Sequence, residues 1–167
     1  MGAIQRSLGI QYIQVGISFL GLLVSAYALF VELHFDANPE YKPNCDLSEY
    51  ISCSKALFSR WGKGLGLVAP LFGEEHLLNQ RNPVYGLLIY SILILLSLPH
   101  NLKAANATLL IVAVANVTSV YLAYILYFKV GALCLVCVTM YLINAVLFPL
   151  AVWRRRAIRQ LLLKKRR

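Results

Sequence analysis

The chain has 167 residues, of which 59% are hydrophobic and only 14% charged, with a mean hydropathy of +0.66. Soluble domains carry roughly 25% charged residues, so this composition excludes an ordinary water-soluble globule and reads as an integral membrane protein of one domain, 1–167. The net charge of +9 would suit nucleic acid, but half of the sixteen basic residues lie in the last fourteen positions, so the expected partner is anionic lipid and not nucleic acid.

A helix rises about 1.5 Å per residue and the bilayer core is about 30 Å thick, so a span needs roughly 20 apolar residues. Four windows approach that length, at 10–31, 84–98, 104–128 and 133–153, which predicts an all-α bundle of four transmembrane helices. The first window carries a small-x-small triplet, Ala26-Tyr27-Ala28, of the kind found at signal-cleavage sites. Its apolar run is longer than the ~7 to 15 residues of a signal core, and only Arg6 precedes it, so an uncleaved helix is expected.

Charge sets the orientation. Arg154, Arg155, Arg156, Arg159, Lys164, Lys165, Arg166 and Arg167 form a basic tail, 154–167, after the last window, and Arg6 and Lys103 fall on the same side. The positive-inside rule places that side, with both termini, in the cytosol. All seven acidic residues lie in the opposite segment, 32–82, which is expected to form a cap of loop and short helix between the first two spans.

Within that cap, Asp46 followed by Glu49 has the form of an Asp-led capping box, predicting a short helix over 47–58 that carries Cys53. Cys45 and Cys53 fit either a simple staple or a relay that passes electrons by disulfide exchange. The glycines of Trp61-Gly62-Lys63-Gly64-Leu65-Gly66 lack the GK[ST] ending of a phosphate loop and read as a flexible turn onto the membrane surface. Asn82-Pro83 reads as a helix N-cap followed by proline at the first helical position, or as an amide donor at the membrane mouth.

The third window contains two glycosylation sequons, at Asn106 and Asn116, that should stay unmodified at that depth. The fourth opens on CLVC, Cys134 to Cys137. All four cysteines fall on the non-cytosolic side or at its boundary, where disulfides form and persist, and their pairing is open among three arrangements. Residues i and i+3 share a helix face, and a helix N-terminus favours a thiolate, so CLVC is placed for thiol-disulfide exchange and a metal site is not expected. Below it Tyr141, Asn144 and Phe148 continue one stripe at helical spacing, which gives the cysteines a shared interior space to face.

NCDLSEYISCS, SRWGKGLGLV, LNQRNPVYGL, SVYLAYILYF and LCLVCVTMYLIN together resemble the vitamin K epoxide reductase family over nearly the whole chain from about Ser25 to Asn144. The resemblance implies a monomeric four-helix bundle of the endoplasmic reticulum membrane that reduces vitamin K 2,3-epoxide to the quinone and then to the hydroquinone, with no tightly bound cofactor. By position it makes Cys137 the thiolate that meets the substrate and Cys134 its resolving partner. Cys45 and Cys53 become redox-active relay cysteines fed by a thioredoxin-like reductant of the protein disulfide isomerase family, with Cys53 exchanging to Cys134. Asn82 and Tyr141 match residues that hydrogen-bond the ring oxygens in a pocket that also takes warfarin-type coumarins, and Leu57, Tyr85, Leu122 and Val136 are expected as its apolar walls. Leu57, Leu65, Tyr85 and Ile89 stand where family members often carry phenylalanine. The alternatives are a quinone-linked disulfide oxidase of the DsbB type and a claudin-like scaffold, the latter leaving CLVC without a purpose.

Overall fold

A computed structural model describes residues 3–38 and 40–166; the side chains of Ala3, Ile4, Arg6, Lys165 and Arg166 lie outside what it describes. Helix α1 runs from Ala3 to Ala37, α2 from Cys53 to Leu57, α3 from Val68 to Phe72, α4 from Asn82 to Ser97, α5 from Leu102 to Ile125 and α6 from Leu135 to Arg166. No β-strand occurs among the described residues; two isolated bridges, Ile51 with Leu133 and Lys63 with Arg81, are the only extended pairings there. Three helices are long and apolar enough to cross a membrane: α1, α5 with the turn that follows it, and α6. The fourth apolar helix, α4, has 16 residues.

The long helices outrun their apolar windows because other forces extend them. At its far end α1 passes Glu32 and Asp36, whose carboxylates pair with Arg81. The basic tail does not leave the bundle: α6 continues through Arg166, with Ile158 and Arg154 fully buried. Asn101 caps α5 by accepting a 2.8 Å bond from the Ala104 N–H, and α5 ends in a π turn, Leu126–Val130, before Gly131 reverses the chain at φ +66. That turn carries the third span to Val130, two residues past the expected 104–128, and the reversal at Gly131 delivers Leu133 to the cap.

The inner seam of α1 is built from Ser7, Gln11, Gln14, Ser18, Gly21, Ser25, Ala28 and Glu32, steps of four and three that hold one face. Small residues there allow close approach: a Cβ at Gly21 would collide with the Tyr90 ring, and one at Gly86 on α4 would collide with Ser25. Helix α1 therefore lies against both α4 and α6, and α5 lies against α6, while α4 and α5 touch over a shorter length. The space left between α4, α5 and α6 is a cavity.

Candidate redox site

Two patches of buried side chains divide the bundle. One gathers Val31, Cys53, Leu57, Cys134 and Val136 with Cys137 and Tyr141 packed against it; the other, deeper, gathers Tyr90, Leu93, Val112, Ile143 and Leu147. The cysteines thus sit at one end of the bundle under the cap.

Cys45 and Cys53 form a disulfide with Cα atoms 5.8 Å apart, and Cys134 and Cys137 are free thiols. The expected helix over 47–58 is corrected. Residues 48–50 form a bend, closed by the Leu47 N–H donating to the Ile51 carbonyl (2.9 Å), and Ile51 bridges to Leu133: the Ser52 N–H donates to the Leu133 carbonyl (3.0 Å) and the Leu133 N–H donates to the Tyr50 carbonyl (2.6 Å). The helix starts only at Cys53, where Ser52 Oγ accepts from the Lys55 N–H at 3.2 Å. Asp46 is no N-cap; its carboxylate accepts from the Ser54 backbone at 3.0 Å and from the Ser54 hydroxyl. The bridge sets Ile51 opposite Leu133, so Ser52 falls opposite Cys134 and Cys53 follows one residue on; Cys53 and Cys134 are both without exposed surface and in one cluster.

Partial burial alone would raise the Asp46 carboxyl; the hydrogen bonds it accepts from Ser54 outweigh that and hold it below the ordinary carboxylate range. A depressed folded value means that the stabilisation is fully present above the ordinary carboxylate pKa of about 3.9 and is lost as pH falls through the folded value. Hydrogen exchange of the Ser54 and Lys55 amides should therefore stay slow from pH 7 to 5 and accelerate, relative to α5 amides, only below about pH 4, with Asp46→Asn showing fast exchange throughout.

At the CLVC turn, the Cys134 sulfur takes the place of a helix cap, accepting from the Cys137 N–H at 3.3 Å. Cys134 is fully buried, while Cys137 is partly exposed to the cavity. The cavity holds about 530 Å³ and is lined by Leu57, Asn82, Tyr85, Leu122, Val136, Cys137 and Tyr141, the whole expected substrate set, together with Trp61, Gly62, Leu65, Ser119, Met140 and Asn144. The stripe down α6 holds through Cys137, Tyr141 and Asn144 but not beyond: Phe148 is 41% exposed on the outside of the bundle. Cys45, Cys53 and Cys134 lie beside the cavity and do not line it.

Asn82 fits neither of its simple readings. Helix α4 begins at Asn82 with Arg81 as a cap that makes no side-chain bond, so Asn82 is not the cap. Its amide turns back onto the glycine segment: Nδ2 donates to the Trp61 carbonyl and Oδ1 accepts from the Leu65 N–H, each at 2.8 Å. Its own backbone N–H donates to Gly62 at 2.8 Å. The segment read as a flexible turn is therefore fixed, with Gly64, Leu65 and Gly66 all left-handed at φ +56, +56 and +69. A leucine in that region carries a backbone cost that these bonds offset.

Two features were not foreseen. Tyr90 donates to Asn144 Oδ1 (3.0 Å) and Asn144 Nδ2 donates to Ser119 (2.9 Å), while Asn116 donates to the Asn144 carbonyl (2.9 Å). This chain ties α4, α5 and α6 together at the cavity's inner wall. Arg154, counted as a topology anchor, is buried and donates to the carbonyls of Leu96, Ser97 and Pro99. The signal for the first was the presence of Tyr90, Asn116 and Asn144 within apolar runs; nothing in the sequence marks Arg154 off from Arg155 and Arg156.

A disulfide in a cap, a dithiol beneath it and an apolar cavity inside a helical membrane bundle define a membrane-embedded thiol oxidoreductase architecture. The profile of the Vitamin K epoxide reductase family matches residues 12–152. The chain is 38% identical over 151 residues to the protein named vitamin K epoxide reductase complex subunit 1 in Rattus norvegicus, and equally so to the protein of that name in Mus musculus, covering 90% of this chain and 92% of each relative. The protein belongs to the vitamin K epoxide reductase family and is a multi-pass membrane oxidoreductase.

Proposed function

We propose that the protein crosses the endoplasmic reticulum membrane four times, with both termini cytosolic and the cap lumenal, and reduces vitamin K 2,3-epoxide to the quinone and onward to the hydroquinone. One observation carries the reading: Cys137, Asn82 and Tyr141 converge on a 530 Å³ apolar cavity while Cys53 and Cys134 share one buried cluster at the Ile51–Leu133 bridge. A cavity of that size suits a naphthoquinone with its apolar tail leading into lipid.

In the first half-reaction the Cys137 thiolate attacks an epoxide carbon, the C–O bond breaks, and the oxygen takes a proton. Cys134 then attacks the Cys137 sulfur, the S–C bond breaks as the disulfide forms, and its electron pair makes the ring C=C and expels the oxygen as water, so two thiol electrons and two thiol protons balance the product. Tyr141 and the Asn82 segment supply hydrogen bonds where charge develops on ring oxygen. Cys53 reopens the Cys134–Cys137 disulfide by exchange, and a thioredoxin-like reductant of the protein disulfide isomerase family reduces Cys45–Cys53. The observed state, loop pair oxidised and CLVC pair free, is the one that follows delivery of two electrons inward. Warfarin-type coumarins are proposed to bind the same cavity.

Purified protein in detergent, supplied with dithiothreitol and vitamin K epoxide, should form the quinone. Oxidation of a thioredoxin-fold partner without epoxide reduction would instead support the quinone-linked oxidase. Asn82→Ala and Tyr141→Phe should each lower kcat/KM by roughly tenfold to a hundredfold, the scale of about 1 to 3 kcal/mol of lost hydrogen bonding. For Asn82 the loss arises through release of the Trp61 and Leu65 backbone, so Asn82→Ala should also admit proteolysis between Arg60 and Leu67, where Tyr141→Phe should not.

A further inference from the structure

Thiolate formation inside the cavity requires a base, and the mechanism above leaves that base unnamed. Asp46, a carboxylate beside the cap cysteines, already accepts two bonds from Ser54. The carboxylate that remains is Glu32, on the inner seam of α1 and 2% exposed. Its Oε2 lies 3.4 Å from Arg81 Nη1, and its Oε1 is buried with no hydrogen-bond partner among the described residues.

The charges around it do not balance. Arg81 is shared with Asp36, which is 52% exposed and remains charged in contact with water; one guanidinium thus faces two carboxylates. Lys63, on the glycine segment, is the other cation whose field reaches Glu32. A buried carboxylate with half its hydrogen-bonding capacity unmet lowers its energy by taking a proton. Its position matches that need. Ala28, one turn away on the same face of α1, lines the cavity with Cys137, and Ala28 and Val31 belong to the buried cluster that holds Cys134 and Cys137.

We infer that Glu32 is the proton carrier of the CLVC dithiol. The S–H bond of Cys137 breaks and a carboxyl O–H forms on Glu32, leaving the electron pair on sulfur. When the disulfide closes and the substrate oxygen departs, the proton leaves with it and Glu32 returns to carboxylate. Arg81, just ahead of α4, holds the carboxyl in place through Oε2, which makes it a positioning residue. The inference rests on the redox reading of CLVC, and its test does not require that vitamin K be the substrate.

The test is the pH dependence of Cys137 alkylation by iodoacetamide in the full-length protein in detergent, with Cys45–Cys53 kept oxidised and the modified cysteine identified by mass. Transfer of a proton from thiol to carboxylate involves no net exchange with solvent, so the wild-type rate should be nearly flat across at least one pH unit near neutrality. In Glu32→Gln, whose amide oxygen still accepts from Arg81, the rate should rise about tenfold per pH unit, and in Glu32→Asp the flat region should return. Arg81→Gln should keep a flat region, shifted along the pH axis. A wild-type slope of tenfold per unit, or a flat region that survives in Glu32→Gln, would overturn the inference. In the dithiothreitol assay Glu32→Gln should lower kcat about tenfold with KM unchanged; a change in KM alone would assign Glu32 to structure. A flat alkylation profile in a protein that fails to reduce vitamin K epoxide would uphold this inference and remove the proposed substrate.

Discussion

Cys137→Ser abolishes reduction of vitamin K epoxide, a fall on the order of 10³-fold or more, the scale of losing an activated nucleophile. Serine keeps the size of the side chain and leaves the cavity wall and the Cys134 cap intact, so the loss is chemical. A hydroxyl at that position is a poor nucleophile and forms no bond that Cys134 can resolve to a disulfide. The paired variant, Cys134→Ser, retains the attacking sulfur and lacks the resolving one, so intact mass spectrometry after incubation with substrate should show an adduct on Cys137. Turnover that survives Cys137→Ser would sink the assignment, and an adduct on any other cysteine would reassign the nucleophile.

The loop pair divides cleanly from this in the same assay. Cys45→Ser removes the relay disulfide but leaves Cys134 and Cys137 in place, so activity with dithiothreitol should persist, since a small reductant reaches the dithiol without the cap. With a thioredoxin-fold donor the same variant should be inactive. The backbone bonds between Tyr50, Ser52 and Leu133 tie the cap to the turn before CLVC, so Ile51→Pro, which removes the N–H that closes the bend onto Ser48 Oγ and disturbs the bridge between those bonds, should slow the protein-driven reaction and spare the dithiothreitol-driven one.

Much of this was legible in the sequence because it rests on periodicity and on rare residues. Apolar windows located the long helices, and spacing placed Cys137, Tyr141 and Asn144 on one face of α6. What escaped were features decided by contacts between distant segments. Asp46 has the residue type of a cap, yet the bend at 48–50 and the bridge of Ile51 with Leu133 move the helix start to Cys53. Asn82 has the residue type of a cap as well, but the left-handed Gly64-Leu65-Gly66 turn, 17 residues earlier at Leu65, presents a backbone N–H that only a side chain can satisfy. Phe148 follows the stripe in number, but on α6 the cavity lining stops at Asn144, which Tyr90, Ser119 and Asn116 hold in place. Helical spacing tells which residues share a face and is silent on where a neighbouring helix stops facing it.

Arg154 carries the second large effect, on stability. Its guanidinium is buried at the end of the bundle opposite the cysteines, where the sequence has no acidic residue to pair with it, all seven lying in 32–82. What compensates the charge is the C-terminus of α4: Leu96, Ser97 and Pro99 offer carbonyls at 3.2, 3.0 and 2.9 Å, at the negative end of the helix dipole. These carbonyls have lost their helical donors, because α4 stops ahead of Pro99. Arg154→Met keeps the length and apolar stem of the side chain and removes every donor, so one buried acceptor, on Ser97, and two part-buried ones, on Leu96 and Pro99, lose their partner at a cost of about 3 kcal/mol. For a chain of this size that corresponds to a fall in Tm of roughly 6 to 12 °C, read by circular dichroism in detergent. Arg154→Lys supplies a single ammonium in place of the fork and should recover about half of the loss. Because the site of the change is remote from the cavity, the folded fraction of Arg154→Met should retain dithiothreitol-driven turnover within about twofold at low temperature, whereas Arg155→Met, whose guanidinium reaches only the exposed Asn106 side chain, should melt with the wild type. Equal melting of the Arg154 and Arg155 variants would return both residues to the role of setting topology by charge alone.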